Sequence, residues 1–523
     1  MSIILGVNGG INPMMHHDPS ACILVDGELI AAAEEERFVR VKNALGRIPI
    51  NSISYCLEAA GISINEVDHV ASPGPVGKDL EERIERYLKH YFGFSPSITL
   101  FHHQLCHAAH SFYMSGFAEA LAITFDGYGD KLSGITSIFR NGAHKITGRL
   151  APLSSLGMFY SSMSSFLGFE PGEGEYKVMG LAPYGTYLKE LKSHLFSSYS
   201  DETGIFTLKP SLFRNGVQEF NEVEKIGRDT RGASVAISRF EPWYTQELTE
   251  ILGPPRSPLE TISQHHKDIA ATTQEIFEDS LIKQVEYANS ELGIKDICLG
   301  GGCALNCVAL SKLGEKLKDS RIFVPPGAND SGLSIGSAFI CAEMKGEDLR
   351  KKNNSDPYLG PSFSGDQVKE ILDSRKIAYE DLTSDVDLYI HNASRDLKNG
   401  RIIGWFNGRL EFGARALGNR SILASPIEKD IKSRVNQAVK FREGYRPFAP
   451  SVLEERAAEI FEMNGTSPYM NIAPVVRPEW RKRIPGVVHV DGTSRVHTVS
   501  QSSNELYSSC LLYTSPSPRD QRG

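Results

Sequence analysis

The chain opens with an apolar run, Ile3–Asn8, that breaks into glycines and a loop rich in Asn and His. Such a run predicts a first strand. Two further apolar runs, Ala21–Val25 and Leu29–Ala33, flank Asp26-Gly27. Asp-Gly between apolar runs predicts a hairpin with a two-residue turn. The same order returns later. Ala120–Phe125 reads as a strand, Asp126–Asp130 as a Gly-rich loop, and Ile135–Phe139, Asn141-Gly142 and His144–Leu150 as a second hairpin. Helical spacing marks Thr261–Ala288, Gln367–Arg375 and Asp387–Lys398, and short apolar strands are expected at Asp296–Leu299, Arg321–Val324 and Arg401–Phe406. Lys345–Leu359 is charged, polar and contains Pro and Gly, which predicts a linker. Cys510–Gly523 has no periodicity and reads as an irregular tail foreign to the fold.

A strand, a polar or Gly-rich loop and a hairpin, twice over, suggest a duplicated α/β unit. Two such units facing each other across a cleft would be an actin/hexokinase-type, nucleotide-binding arrangement. Asp296–Leu299 runs into Gly300-Gly301-Gly302 and then a helix. A strand ending in glycines lets backbone N–H groups approach a phosphate.

Length and charge narrow the classes. At 523 residues the chain exceeds one core, so at least two domains are expected. A net charge of −8 argues against general nucleic-acid binding. No apolar stretch approaches the ~20 residues that span a bilayer, and the N-terminus reads as a strand, not a leader. The eight cysteines are scattered and fit a reducing cytoplasm.

Three clusters carry candidate chemistry. The densest is His102-His103-Gln-Leu-Cys-His107-Ala-Ala-His110. On a helix His103 and His107 share one face, a spacing suited to one metal ion. The alternative is a helix whose histidines are surface groups or satisfied in the core. Asp126 and Asp130 offer carboxylate ligands, or cap a turn. HxxxH lacks the Glu of HExxH, so a zinc protease is disfavoured. The second cluster is His16-His17-Asp18, a candidate base or a turn with solvated histidines. The third is cationic: Arg409, Arg415, Arg420, Lys440, Arg442 and Arg446 alternate with Gly, Pro and aromatic residues. Guanidinium forks on rigid loops suit phosphate and carboxylate groups. Nucleic acid is the competing use, but high net basicity is missing. Lys177 contacts a phosphate or pairs with Glu173 or Glu175.

Read in order, HDPSAC (His17–Cys22), EEERFVRVK (Glu34–Lys42), HHQLCHAAHSFY (His102–Tyr113), FDGYGD (Phe125–Asp130) and EYKVMGLAPYG (Glu175–Gly185) form a series. GGGCALNC (Gly300–Cys307), PPGANDSG (Pro325–Gly332), GWFNGRLEFGARALGNRSILASP (Gly404–Pro426) and KFREGYRPFAPSVL (Lys440–Leu453) continue it. Together they resemble the O-carbamoyltransferase family that includes the nodulation-factor, cephalosporin and aminoglycoside enzymes. The resemblance covers roughly residues 1–508.

The resemblance implies an α/β protein. Residues 1–345 would be an actin-like ATPase domain (a duplicated ribonuclease H-like fold) for carbamoyl transfer. Residues 359–509 would be an α/β YrdC-like domain that forms carbamoyl-adenylate from carbamoyl phosphate and ATP with Mg. Residues 510–523 would be a non-native tail. The implied metal, Fe(II) or another divalent ion, would take His103, His107, Asp126 and Asp330. His17 would be the base near the acceptor hydroxyl, with Lys42 also catalytic. Gly301, Gly302, Asn306 and Lys177 would face the first domain's nucleotide. Arg415, Arg420, Lys440, Arg442, Arg446 and Arg495 would hold carbamoyl phosphate and ATP in the second. The acceptor would be a hydroxylated small molecule: a sugar, an antibiotic or a lipo-oligosaccharide. Neither nucleic acid nor membrane is implied, and a homodimer is admitted. Departures from the family pattern are Asn43 where His is common and His497 where Gln is common. An Asn-Thr-Ser-Phe-Asn motif of the second domain is missing from these 523 residues. That opens an alternative, a metal- and nucleotide-binding module without transfer activity.

Overall fold

A computed structural model describes residues 2–9, 17–77, 79–214, 242–349 and 355–514. His16, the middle of the expected linker and the last nine residues lie outside them. The chain forms two compact units, Met1–Ser355 and Asp356–Gly523.

The first unit holds two five-stranded mixed sheets. One contains β1 (Ile3–Asn8), β2 (Ser20–Val25), β3 (Glu28–Glu34), β4 (His69–Pro73) and β5 (Ser97–Phe101), in the order β3-β2-β1-β4-β5. The other contains β6 (Glu119–Thr124), β7 (Gly134–Arg140), β8 (Ala143–Leu150), β11 (Asp296–Gly300) and β12 (Arg321–Phe323), in the order β12-β11-β6-β7-β8. A small ribbon, β9 (Phe196–Tyr199) with β10 (Phe206–Leu208), stands apart. In each large sheet the first three strands pair antiparallel and the last two join parallel to the first. The order third-second-first-fourth-fifth is therefore repeated, as the recurring sequence pattern implies.

Both hairpins turn in the same way. Asp26 and Gly27 have φ of 48° and 78°, and Asn141 and Gly142 have 55° and 72°. Two successive positive φ values match the right-handed twist of the flanking strands. β1 is buried along its whole length because it is the middle strand of its sheet. The helix Leu333–Met344 packs on β1 and on the helix His103–Ser115. Its buried residues mix large apolar side chains, Leu333, Ile335, Phe339 and Ile340, with small ones, Ser334, Gly336, Ser337 and Ala338. A Cβ on Gly336 would lie 1.9 Å from the Cys106 carbonyl oxygen, so only glycine allows this approach. The long helix expected at Thr261–Ala288 runs Gln264–Leu292. Ser263 caps it by accepting from the His266 N–H, and left-handed Gly293 ends it.

The second unit is also α/β. β13 (Ile403–Phe406) pairs antiparallel with β14 (Arg420–Leu423). β15 (Ser451–Leu453) runs parallel to β18 (His497–Val499), and β16 (Phe461–Glu462) pairs with β17 (Val475–Val476). One core joins Ile390 and Leu397 of the helix Val386–Lys398 to Trp405, Val499, Tyr507 and Cys510. Another joins Val452, Phe461, Val476, Trp480 and Val496.

Two boundaries need correction. Tyr358 and Leu359, placed in the linker, are buried in the second unit, where Tyr358 donates to the Leu417 carbonyl at 2.8 Å. Cys510–Thr514, placed in a foreign tail, form the end of the helix Glu505–Thr514. Cys510 is buried against Ser394, so a small apolar side chain at helical spacing from Tyr507 is what holds this last turn. Among the described residues no helix is long and apolar enough to cross a membrane.

Candidate functional site

The histidine helix begins where Asp130 accepts from the His103 N–H at 2.7 Å. Asp130 is thus a helix cap and stands outside the donor cluster. The i, i+4 spacing places the His107 and His103 Nε2 atoms 3.1 Å apart. Asp126, just past the end of β6, brings Oδ2 to 2.9 Å from His103 Nε2 and 3.7 Å from His107 Nε2. Asp330, in the turn leading into Leu333–Met344, brings Oδ1 to 3.6 Å and 3.4 Å from the same atoms. All four donor atoms lie within 4.8 Å of one another. Gln104 steadies Asp126: its amide donates to Asp126 Oδ2 at 3.4 Å, and its oxygen accepts from Thr124 Oγ1 at 2.7 Å.

Burial disfavours charge on both aspartates, yet their carboxyls stay below the usual range because imidazoles face them. Burial also lowers His107, but the two carboxylates outweigh it and raise the ring to about 9. Two buried carboxylates call for positive charge. The cluster is able to hold a metal ion. Five of the six donor edges, the four His–Asp edges and the His–His edge, are 2.9–3.7 Å, near the ~3.0–3.4 Å expected around a cation with bonds of ~2.1 Å. His110, one turn further, takes no part. It is fully buried, and burial lowers it to about 3.

His17 reaches the rim of the cluster. Its Nε2 is 3.7 Å from Asp330 Oδ2 and its Nδ1 is 3.2 Å from Asp18 Oδ2. Desolvation lowers the half-exposed ring, but Asp18 and the charges of Asp330 and Asp126 outweigh it and raise it above the ordinary histidine value. Lys42 pairs with Glu36 at 2.9 Å. Desolvation works against its charge, but Glu36 more than compensates and holds Lys42 above the usual lysine range. The carbonyl of its neighbour Asn43 accepts from the Asp18 N–H at 2.9 Å, and the Asn43 amide donates to Glu173 at 3.2 Å, which ties this loop to the site.

The glycine loop lies beside Asp126. Gly301 has φ of 86°, and a Cβ there would meet the Phe125 carbonyl oxygen at 2.2 Å. A Cβ on Gly302 would face Asp126 Oδ1 at 3.8 Å. Asn306 caps the helix Cys307–Lys316 through the Ala309 N–H at 3.1 Å. Its amide also pairs reciprocally with Gln274 at 3.0 and 3.1 Å. Asn306 therefore shapes the loop, and its side chain is engaged by protein groups. Lys177 lies over the Phe169 ring at 5.6 Å.

In the second unit the cations divide into two kinds. Arg420 donates to the carbonyls of Asn407, Asn419, Pro361 and Gly408 and stacks on Phe406 at 3.7 Å. Arg409 donates to the carbonyls of Gly360 and Leu359. These two arginines staple loops through backbone carbonyls. Buried Glu411 completes the same loop by accepting from the N–H groups of Leu417, Asn419 and Arg420. Lys440 and Arg442 behave differently. Burial lowers Arg442 to about 10, with the Arg446 charge adding to it. Burial and the Arg442 charge lower Lys440 and also Lys432, which sequence reasoning did not single out. Arg446 lies 3.5 Å from Glu443, and Arg415 and Arg495 are half-buried.

A family model for the carbamoyltransferase N-terminus matches residues 77–339, and one for the C-terminus matches 394–516. The chain belongs to the carbamoyltransferase family. The C-terminal match also runs past Cys510, in keeping with the helix there. Nodulation protein NolNO of Sinorhizobium fredii is 34% identical over 97% of this chain and 74% of its own length. An uncharacterized protein of Synechocystis, sll1178, is 32% identical over 97% of this chain and 88% of its own. Nodulation protein NolO of Bradyrhizobium diazoefficiens is 35% identical over 78% and 68%. Among solved structures, full-length HypF in its phosphate- and nucleotide-bound form covers 66% of this chain and 55% of its own, at 12% identity and a TM-score of 0.39. What sequence reasoning misses most in this carbamoyltransferase is the supporting shell. Asn8, Gln104, Asn329, Gln274 and Glu411 are not among the candidate ligands, but each orients a group that is or shapes its loop. The one usable signal is Asn8, a polar residue closing an otherwise apolar strand.

Proposed function

We propose that this carbamoyltransferase transfers a carbamoyl group to a hydroxyl of a small molecule, by way of a carbamoyl-adenylate. The second unit, around residues 359–509 and of YrdC-like type, activates the donor. Water converts carbamoyl phosphate to carbamate and phosphate, and carbamate with ATP gives carbamoyl-adenylate and pyrophosphate. Lys440, Arg442, Arg446, Arg415 and Arg495 offset phosphate charge as it builds. The first unit, residues 1–345 and of actin-like type, carries out the transfer: the acceptor oxygen bonds to the carbamoyl carbon, and AMP leaves with the electron pair of the broken bond. The repeated sheet order supports the actin-like reading.

The observation that carries the proposal is the convergence of His103, His107, Asp126 and Asp330 beside the Gly301–Gly302 backbone. These four residues would hold a divalent cation, of which Fe(II) is one candidate. Such a cation lowers the pKa of a bound hydroxyl and polarises a carbonyl. His17 stands at the rim, placed to take the acceptor proton. A cation in the cluster would offset the Asp126 and Asp330 charges that raise the ring, which favours its neutral, proton-accepting form. The glycine loop, together with Lys177, would face the adenylate phosphate. The acceptor is a sugar, antibiotic or lipo-oligosaccharide hydroxyl, and the setting is cytoplasmic.

The test is pyrophosphate release from carbamoyl phosphate plus ATP, followed by mass spectrometry for carbamoyl-adenylate and for carbamoylated acceptors. Release that depends on both substrates supports the reading. ATP binding with no adenylate would instead favour a binding module without transfer activity.

A further inference from the structure

His17 sits on a loop with no regular structure, and its ring is half exposed. Among the described residues, the groups that face the ring are Asp18 and Asp330. Asp18 is the first of them, and it adopts a left-handed φ of 53°. That conformation is uncommon for a residue with a side chain and needs support from its surroundings. Three contacts supply that support. The Asp18 N–H donates to the Asn43 carbonyl at 2.9 Å. The Asp18 carboxylate accepts from Asn329 Nδ2 at 2.9 Å, beside its contact with His17 Nδ1. The Asp18 carbonyl accepts from Asn8 Nδ2 at 3.2 Å.

Asn8 does one thing more. The same Nδ2 donates to the Asp330 carbonyl at 2.7 Å. One amide group, 1% exposed at the end of a central strand, thus grips the backbone on both sides of the His17–Asp330 approach. Its Oδ1 has no partner among the described residues. A buried amide left half satisfied is a poor source of stability, and an apolar residue would serve packing as well. The geometry serves something else. We infer that Asn8 is a positioning residue: by bridging Asp18 and Asp330 it sets where His17 stands relative to the donor cluster. This rests on the reading of His17 as the group that takes the acceptor proton.

The consequence is non-additivity. A residue that acts through His17 has nothing to act on once His17 is gone. Asn8→Leu should lower kcat for transfer about tenfold or more, the loss expected when a catalytic group is misplaced, with KM for ATP and carbamoyl phosphate within about twofold. In a His17→Ala background the same change should cost less than about twofold. An equal loss in both backgrounds, or no loss in either, overturns the inference. A second readout needs no activity. In protein labelled with 13C-histidine, Asn8→Leu should shift or broaden the His17 ring signals and leave those of His497 in place; unchanged His17 signals overturn the inference. If His17 responds but the unaltered protein transfers nothing, the proposed function fails and the positioning role stands. Should Asn8→Leu not fold, Asn329→Leu removes the other tether on Asp18 from a more exposed site and must move the same signals.

Discussion

As sequence, the histidine helix of the first unit and the arginine-rich loops of the other unit are alike. Each is a dense run of one kind of polar residue. They behave differently once folded. In the helix, spacing fixes direction, so His103 and His107 must point together, and their Nε2 atoms meet at 3.1 Å. In the loops, direction follows from whatever backbone lies near. Arg420 and Arg409 turn inward to carbonyls, whereas burial lowers Lys440 and Arg442, with the Arg442 charge adding to it at Lys440 and the Arg446 charge at Arg442. A cluster of like residues signals a site only when something forces the side chains to converge.

The largest effect expected from this contrast is in the helix cluster. Asp126→Asn or His103→Ala should cut bound metal, by elemental analysis, and transfer rate by at least about 100-fold. Full metal content in both variants would remove the cluster from the proposal. Next come the two kinds of arginine. Arg442→Ala should weaken ATP or carbamoyl phosphate binding about 10- to 100-fold, by calorimetry, and leave stability unchanged or higher as like charge is relieved. Arg420→Ala should do the reverse. Losing its carbonyl contacts should cost about 2–3 kcal/mol in chemical denaturation of the second unit, with little change in ligand affinity. If both variants lose affinity alike, the division of the cations is wrong.

The second unit also carries a pH dependence of its own. His497 is buried beside Ser451, and burial lowers it to about 3 from 6.5. The folded state therefore stays neutral where the unfolded chain takes up a proton. Stability is whole above pH 6.5 and falls toward pH 3, by about 1.4 kcal/mol per pH unit. His497→Gln should flatten that slope in urea melts of this unit. The smallest effect separates capping from ligand contact. Asn306→Ala should cost about 1 kcal/mol as a lost helix cap, with ATP affinity in the first unit unaltered. A loss of affinity beyond tenfold would return Asn306 to the nucleotide.

Much of the frame was legible because its signals are local. Asp26-Gly27 and Asn141-Gly142 announce hairpins, and both adopt the positive φ values such turns demand. The capped start of the helix at Ser263 and the glycine end at Gly293 are local too. The missed positions are those decided at a distance. Tyr358 resembles linker in sequence because its partner, Leu417, lies far along the chain. Cys510 resembles tail because the residues that bury it come from other elements.

Residue order by itself determined the family, the repeated strand-loop-hairpin pattern and the shared face of His103 and His107, since backbone preference and helical period act over a few residues. Only the tertiary structure decided that Asp126 joins the cluster while Asp130 caps the helix, that Arg420 staples a loop, and that Asn8 grips both Asp18 and Asp330. Those outcomes depend on which groups arrive beside a side chain, and that is set by the packing of segments from about ten to more than three hundred residues apart.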